Sequence, residues 1–259
     1  MRRHKTEQIV VIDRFPQNIG KYRDDYAIVC IDVIRSTTTA VTAAASGRRC
    51  FPVPSLDRAI DLSNRMADER PLLAGETGED KHASIGISNS PSMIANRKDI
   101  DRPLILLSPS GAELLRESAG GLVTFLACLR NFAAAAEVLA AHYSKVALIG
   151  AAHQAEFREE DQLCCAWIAD LLVARGFKPA TSNTNDLIAR WKGVPVAELE
   201  KSPGAAFLRQ TGQEEDLDFI LSHVGDVDAS FVMAEDEVLM IPRVFSFADD
   251  GAVPRTSAW

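Results

Sequence analysis

Ile28-Val29-Cys30-Ile31-Asp32-Val33-Ile34-Arg35-Ser36-Thr37-Thr38-Thr39 is the stretch around which the chain is read. Its first four residues form an apolar run of the kind that makes a strand buried on both faces. One acid, Asp32, follows, then Arg35, Ser36 and three threonines. An alanine-rich segment over 40–45 comes next and stops at Gly47, so the order is strand, polar turn, helix. In α/β proteins the junction of a buried strand end with a helix N-terminus is where anionic ligands sit.

Working outward, the pattern recurs. Residues 8–12, 49–53, 72–76, 104–107, 122–127 and 145–151 read as strands. Ser55 caps a helix over 56–66, and Ser90 with Pro91 starts another. A short helix is expected over 112–117, a helix capped by Asn131 running to 142, and another opening at Arg158 and running through 172. Alternation of strand and helix with short loops predicts an α/β fold: a largely parallel sheet flanked by helices on both faces. Residues 1–175 form the core and hold most of the proposed site; 176–259 read as a smaller mixed α+β C-terminal subdomain or extension. Within it, 178–223 look like short helices, and 238–241 like a last, antiparallel edge strand.

Composition narrows the function. The 259 residues are 47% hydrophobic and 25% charged, with net charge −8. No basic cluster supplies a nucleic-acid face. The basic start at residues 1–5 has no apolar run behind it, so it does not read as a signal peptide. No apolar run is long enough to span a bilayer. Five scattered cysteines without a C-x-x-C pair suit reduced, buried thiols, and a cytoplasmic location is expected. A homo-oligomer is allowed, not required. G-x-x-x-x-G-K-[ST], G-x-G-x-x-G and G-x-S-x-G are all missing.

Four strand ends carry chemistry. The first brings Asp32, Arg35 and Ser36 to Thr39; the second Gly75 and Glu76. The third brings Ser108, Ser110 and Gly111; the fourth leads from Gly150 and His153 to Glu159, Glu160 and Asp161. Asn89 and Ser90 precede a helix. Asp32, Glu76, Glu160 and Asp161 are hard oxygen donors suited to Mg²⁺. Arg35 can fork two hydrogen bonds onto a phosphate. Thr37, Thr38 and Ser90 lie at helix starts that favour an anion. Each feature also has a plain structural reading: a turn acid, a helix cap, acids matching a helix dipole. His82 and His153 read as loop residues, and the acids at 216, 218, 226 and 228 match a calcium loop only superficially.

In combination these segments resemble the 2-phosphosulfolactate phosphatase (ComB) family. The resemblance rests on Ile31 to Thr39, which is similar to that family's D-V-L-R-A-T-T-T. Ala74-Gly75-Glu76, Asn89-Ser90-Pro91, and Glu159-Glu160-Asp161 with Cys164 follow in the family's order. Ser202-Pro203-Gly204-Ala205-Ala206 and Asp218-Phe219-Ile220 fit more loosely. The resemblance implies a Mg²⁺-dependent phosphatase acting on a small phosphorylated hydroxy acid or sulfonate, on the route to coenzyme M. It implies Asp32 as metal ligand or central acid, with Glu76 and Asp161 completing an acidic metal site. Arg35 and Thr37 to Thr39 would bind phosphate, and Asn89 and Ser90 would line the pocket. The turn Ser108-Pro109-Ser110-Gly111 departs from the family's T-T-N-G-T, and Pro109 removes a backbone donor there. A catalytically silent relative that binds an anionic metabolite is the rival expectation. A nucleotide- or cofactor-binding transferase is the third.

Overall fold

A computed structural model describes residues 7–75, 86–153 and 156–242. The strands are β1 Ile9–Asp13, β2 Ala27–Ile31, β3 Cys50–Val53, β4 Leu72–Gly75, β5 Ile87–Ser88, β6 Leu104–Leu107 and β7 Val123–Ala127. They continue with β8 Lys145–Gly150, β9 Ala152–His153, β10 Glu156–Phe157, β11 Lys178–Pro179, β12 Ala229–Ala234 and β13 Glu237–Pro242. The α-helices are α1 Ser36–Ala45, α2 Leu56–Arg65, α3 Pro91–Asn96, α4 Pro109–Ser118 and α5 Phe132–His142. After them come α6 Glu159–Val173, α7 Ser182–Trp191, α8 Pro203–Gln210 and α9 Glu214–Ser222.

The fold is α/β, with a mostly parallel main sheet in the order β11-β1-β8-β2-β7-β12-β13. Its last two strands run antiparallel, β12 on β7 and β13 on β12. Thus the chain beyond residue 175 adds strands to both edges of this sheet, and residues 238–241 lie in the antiparallel edge strand β13. The expectation that one sheet gathers all the strand ends is corrected here. Strands β3 to β6 form a second, parallel sheet in the order β3-β6-β4-β5. The sequence does not separate the two, because strands buried on both faces read alike.

Strand β2 is central and wholly buried, paired with β8 on one side and β7 on the other. Side chains alternate across a strand. Val29 and Ile31 therefore join the core under α5 and α6, while Ile28 and Cys30 pack with Leu114 of α4. Helix α1 is buried along nearly its whole length and lies between the two sheets, its alanines allowing close approach. Its polar threonines tolerate burial because Thr38 Oγ1 donates to the Val33 carbonyl (2.7 Å) and Thr42 Oγ1 to that of Thr38 (2.7 Å).

From β2 the chain crosses to α1 on one face, whereas from β8 it enters α6 on the opposite face. The gap between the C-terminal ends of β2 and β8 is therefore a topological switch point, where open α/β sheets receive ligands.

Candidate active site

Asp32 directly follows β2 and is almost fully buried, 1% exposed. The turn after it is closed by its own residues. The Thr37 amide and hydroxyl both donate to the Asp32 carbonyl (2.9 and 2.8 Å), and the Asp32 amide donates to Thr37 Oγ1 (3.0 Å). The Thr37 and Thr38 hydroxyls are thus spent on backbone. Thr39 Oγ1 is buried without a hydrogen-bond partner among the described residues. The peptide between Ile34 and Arg35 is cis.

From the second sheet, α4 brings its first turn against Asp32. Ser110 Oγ donates to Asp32 Oδ2 at 3.2 Å. Gly111 packs so closely that a Cβ there would collide with the Ser36 side chain and come within 3.4 Å of Asp32 Oδ2. Ser108 is the buried residue preceding the helix. Pro109 takes the first helical position, where an amide would have no intrahelical partner in any case.

Helix α6 supplies two further acids. Asp161 is fully buried and its Oδ1 accepts the Val33 amide (2.8 Å), which ties α6 to the β2 turn. Asp161 Oδ2 and both carboxylate oxygens of Glu160 are buried without hydrogen-bond partners among the described residues. Burial, followed by the nearby Asp32 and Glu160 charges, holds the Asp161 carboxyl well above the ordinary aspartate range. Glu160 is pushed up mainly by burial, then by Asp32 and Glu159, against the pull of Arg158. Gly204, in the first turn of α8, leaves room for Glu160: a Cβ there would stand 2.7 Å from Glu160 Oε1.

Arg158 caps this corner, donating from Nη1 to the Ile34 carbonyl at 2.8 Å. Arg35, expected to face a phosphate directly, pairs through Nη1 with Asp216 Oδ2 (2.7 Å), a residue of α9. Ser90 caps α3 through the Met93 amide and also donates to Asp216 Oδ1 (2.6 Å). Asn89 is fully buried just before it.

Asp32, Glu160, Asp161, Ser36, Ser110 and Gly111 thus meet at one corner, with Arg35, Ser90 and Thr37 to Thr39 on the same turn or tied to it. Glu76 and His82 lie outside the described residues. Sequence reasoning missed Arg158, Gly204, Asp216 and Ser92, whose hydroxyl also donates to Asp216 Oδ1 (2.6 Å). Asp216 had a signal: it stands four residues before the buried Ile220, hence on the buried stripe of α9.

Two buried acids with oxygens unpartnered among the described residues, Glu160 and Asp161, beside the buried Asp32, have the chemistry of a hard divalent cation site. Among the described residues, no three of His, Cys, Asp or Glu already stand together as a ligand set. No helix among them is long and apolar enough to cross a membrane.

Fold and site define an α/β protein with an acid-rich corner at strand ends, bordered by two arginines and several helix starts. The particular lineage follows from comparison. A family model for 2-phosphosulpholactate phosphatase matches residues 12–227, and the chain belongs to that family. A probable 2-phosphosulfolactate phosphatase of Symbiobacterium thermophilum is 27% identical over 219 residues, 82% of this chain and 93% of the relative. One from Synechococcus sp. WH7803 is 26% identical over 229 residues, 88% of this chain and 90% of its own length. One from Nostoc punctiforme reaches 32% over 143 residues, 54% of this chain and 58% of the relative.

Proposed function

We propose that the chain is a Mg²⁺-dependent phosphomonoesterase that hydrolyses a small phosphorylated hydroxy acid or sulfonate of the 2-phosphosulfolactate type. Family membership supports the phosphatase class. The observation that carries the metal is the orphaned carboxylate oxygens of Glu160 and Asp161 beside Asp32. Left empty, such a cluster is costly; a divalent cation neutralises it. Asp32, Glu160 and Asp161 would hold the ion, with Glu76 as a further donor. Bound there, Mg²⁺ supplies charge neutralisation and orientation of phosphate oxygens.

The chain's own groups do the rest. Among the described residues Arg35 bonds only Asp216, through one nitrogen, and its remaining donors bind phosphoryl oxygens. The starts of α1 and α4 add dipoles favourable to negative charge. Ser110 steadies the Asp32 carboxylate through its hydrogen bond. Close packing of Gly111 on Ser36 keeps this side of the corner dry, which strengthens each electrostatic contact.

Phosphate release from 2-phosphosulfolactate and related phosphorylated hydroxy acids, measured with Mg²⁺ for wild type and Asp32→Asn, tests the reading. Release by wild type and its loss in a folded variant are expected. An equally active variant overturns the site assignment. Binding of the esters without release points instead to an anion-binding module.

A further inference from the structure

The Arg35 guanidinium is held from far away in the sequence. Its Nη1 lies 2.7 Å from Asp216 Oδ2, and the side chains are only 6% and 4% exposed. The two oxygens of Asp216 have separate duties. Oδ2 takes Arg35, whereas Oδ1 accepts Ser90 Oγ (2.6 Å), Ser92 Oγ (2.6 Å) and the Ser92 amide (3.1 Å). The three donors on Oδ1 fix the position of this buried carboxylate without help from Arg35.

A guanidinium carries five N–H donors in a rigid fork. Asp216 engages one nitrogen, while Nε and Nη2 make no hydrogen bond to a described residue. Arg35 also stands only three residues beyond Asp32, on the turn that faces the acidic corner. A structural ion pair would gain from bidentate closure. Among the described residues, this one leaves most of the fork unengaged beside the acidic corner.

We infer that Asp216 is a positioning residue: anchored by Ser90 and Ser92, it grips one edge of Arg35 and turns the other edge toward the oxygens of a phosphate group. The inference rests on the reading of Arg35 as an oxyanion ligand. It makes α9, remote in sequence from the β2 turn, part of the binding machinery.

Asp216→Asn separates the two duties. Its Oδ1 still accepts the serines, while an amide NH₂ replaces the oxygen that faces the guanidinium. Inorganic phosphate titrated calorimetrically into the full chain with MgCl₂ reads the effect. In the wild-type background the variant is expected to weaken phosphate binding by about ten-fold. In an Arg35→Gln background the same change is expected to cost less than about two-fold, because Asp216 acts only through Arg35. Equal losses in both backgrounds, or full affinity in Asp216→Asn, overturn the inference.

Should Asp216→Asn fail to fold, Ser92→Ala serves in the same cycle. A loss of roughly two- to five-fold with Arg35 present and none without it is expected, and no change overturns the idea. Wild type that binds no inorganic phosphate overturns the inference together with its premise. Wild type that binds phosphate but cleaves no ester sinks the phosphatase reading alone.

Discussion

Replacing Asp161 by Asn should make the metal-free protein more stable and inactive at once. The Val33 amide donates to Asp161 Oδ1 at 2.8 Å, and an Asn carbonyl accepts it equally well. What disappears is a buried charge facing Asp32 and Glu160, the interactions that, after burial itself, hold its carboxyl above the normal range. Asp161→Ala removes the same charge but strands the Val33 amide in a dry site. A buried donor left unpaired costs about 1–3 kcal/mol, so Asn should exceed Ala by about that amount. At roughly 2–4 °C per kcal/mol for a chain of this size, the gap is about 2–12 °C in Tm. Thermal unfolding at pH 8 in chelator, beside a phosphate-release assay, measures both. The expected order is Asn above wild type, with Asn above Ala and neither variant active. An Asn variant less stable than wild type, or one that keeps its activity, would falsify the view that Asp161 is retained for binding rather than for the fold.

Three further outcomes are expected. Glu160 and Asp161 keep their protons to higher pH when folded than when unfolded. The native state therefore binds more protons from the ordinary carboxylate range upward, and metal-free stability falls as pH rises through that window. Melting scans from pH 4 to 8 check this, with Mg²⁺ restoring more stability at the high end. Gly204→Ala places a Cβ 2.7 Å from Glu160 Oε1, so Mg²⁺ affinity measured calorimetrically should drop by about ten-fold with the fold retained; unchanged affinity would remove Glu160 from the metal site. Arg48 is buried and donates to the Asp99 and Arg102 carbonyls and the Asp99 carboxylate. Arg48→Met should cost about 2–3 kcal/mol in urea unfolding without touching kcat, since it lies apart from the acidic corner.

Much of this was legible in the residues because the β2 turn combines signals that rarely coincide. An unbroken apolar run fixed a doubly buried strand, and Asp32 marked its end. The second sheet was not legible: β3 and β6 carry the same apolar character as β2 and β7, and nothing in a single strand's residues says which sheet it joins. Asn131 stands at the N-cap position of α5, where a helix start was expected, but its side chain does not bond the first helical amides. Instead its side chain accepts the Cys128 amide and donates to the Leu126 carbonyl, holding the turn before the helix. Ser90 does cap α3 but has a second task on Asp216. The threonines looked like phosphate donors, yet Thr37 and Thr38 tie the turn to its own carbonyls. Hydroxyls bond their own backbone as readily as a ligand, and composition does not distinguish the two uses. Contacts such as Arg35 with Asp216, 181 positions apart, arise only from the fold.

The most direct measurement is phosphate release from 2-phosphosulfolactate by the purified chain, with Mg²⁺, after chelation, and after Mg²⁺ is returned. The account predicts release with the metal, none under chelator and recovery on its return. No release under any condition, or release that chelation leaves unchanged, would contradict it.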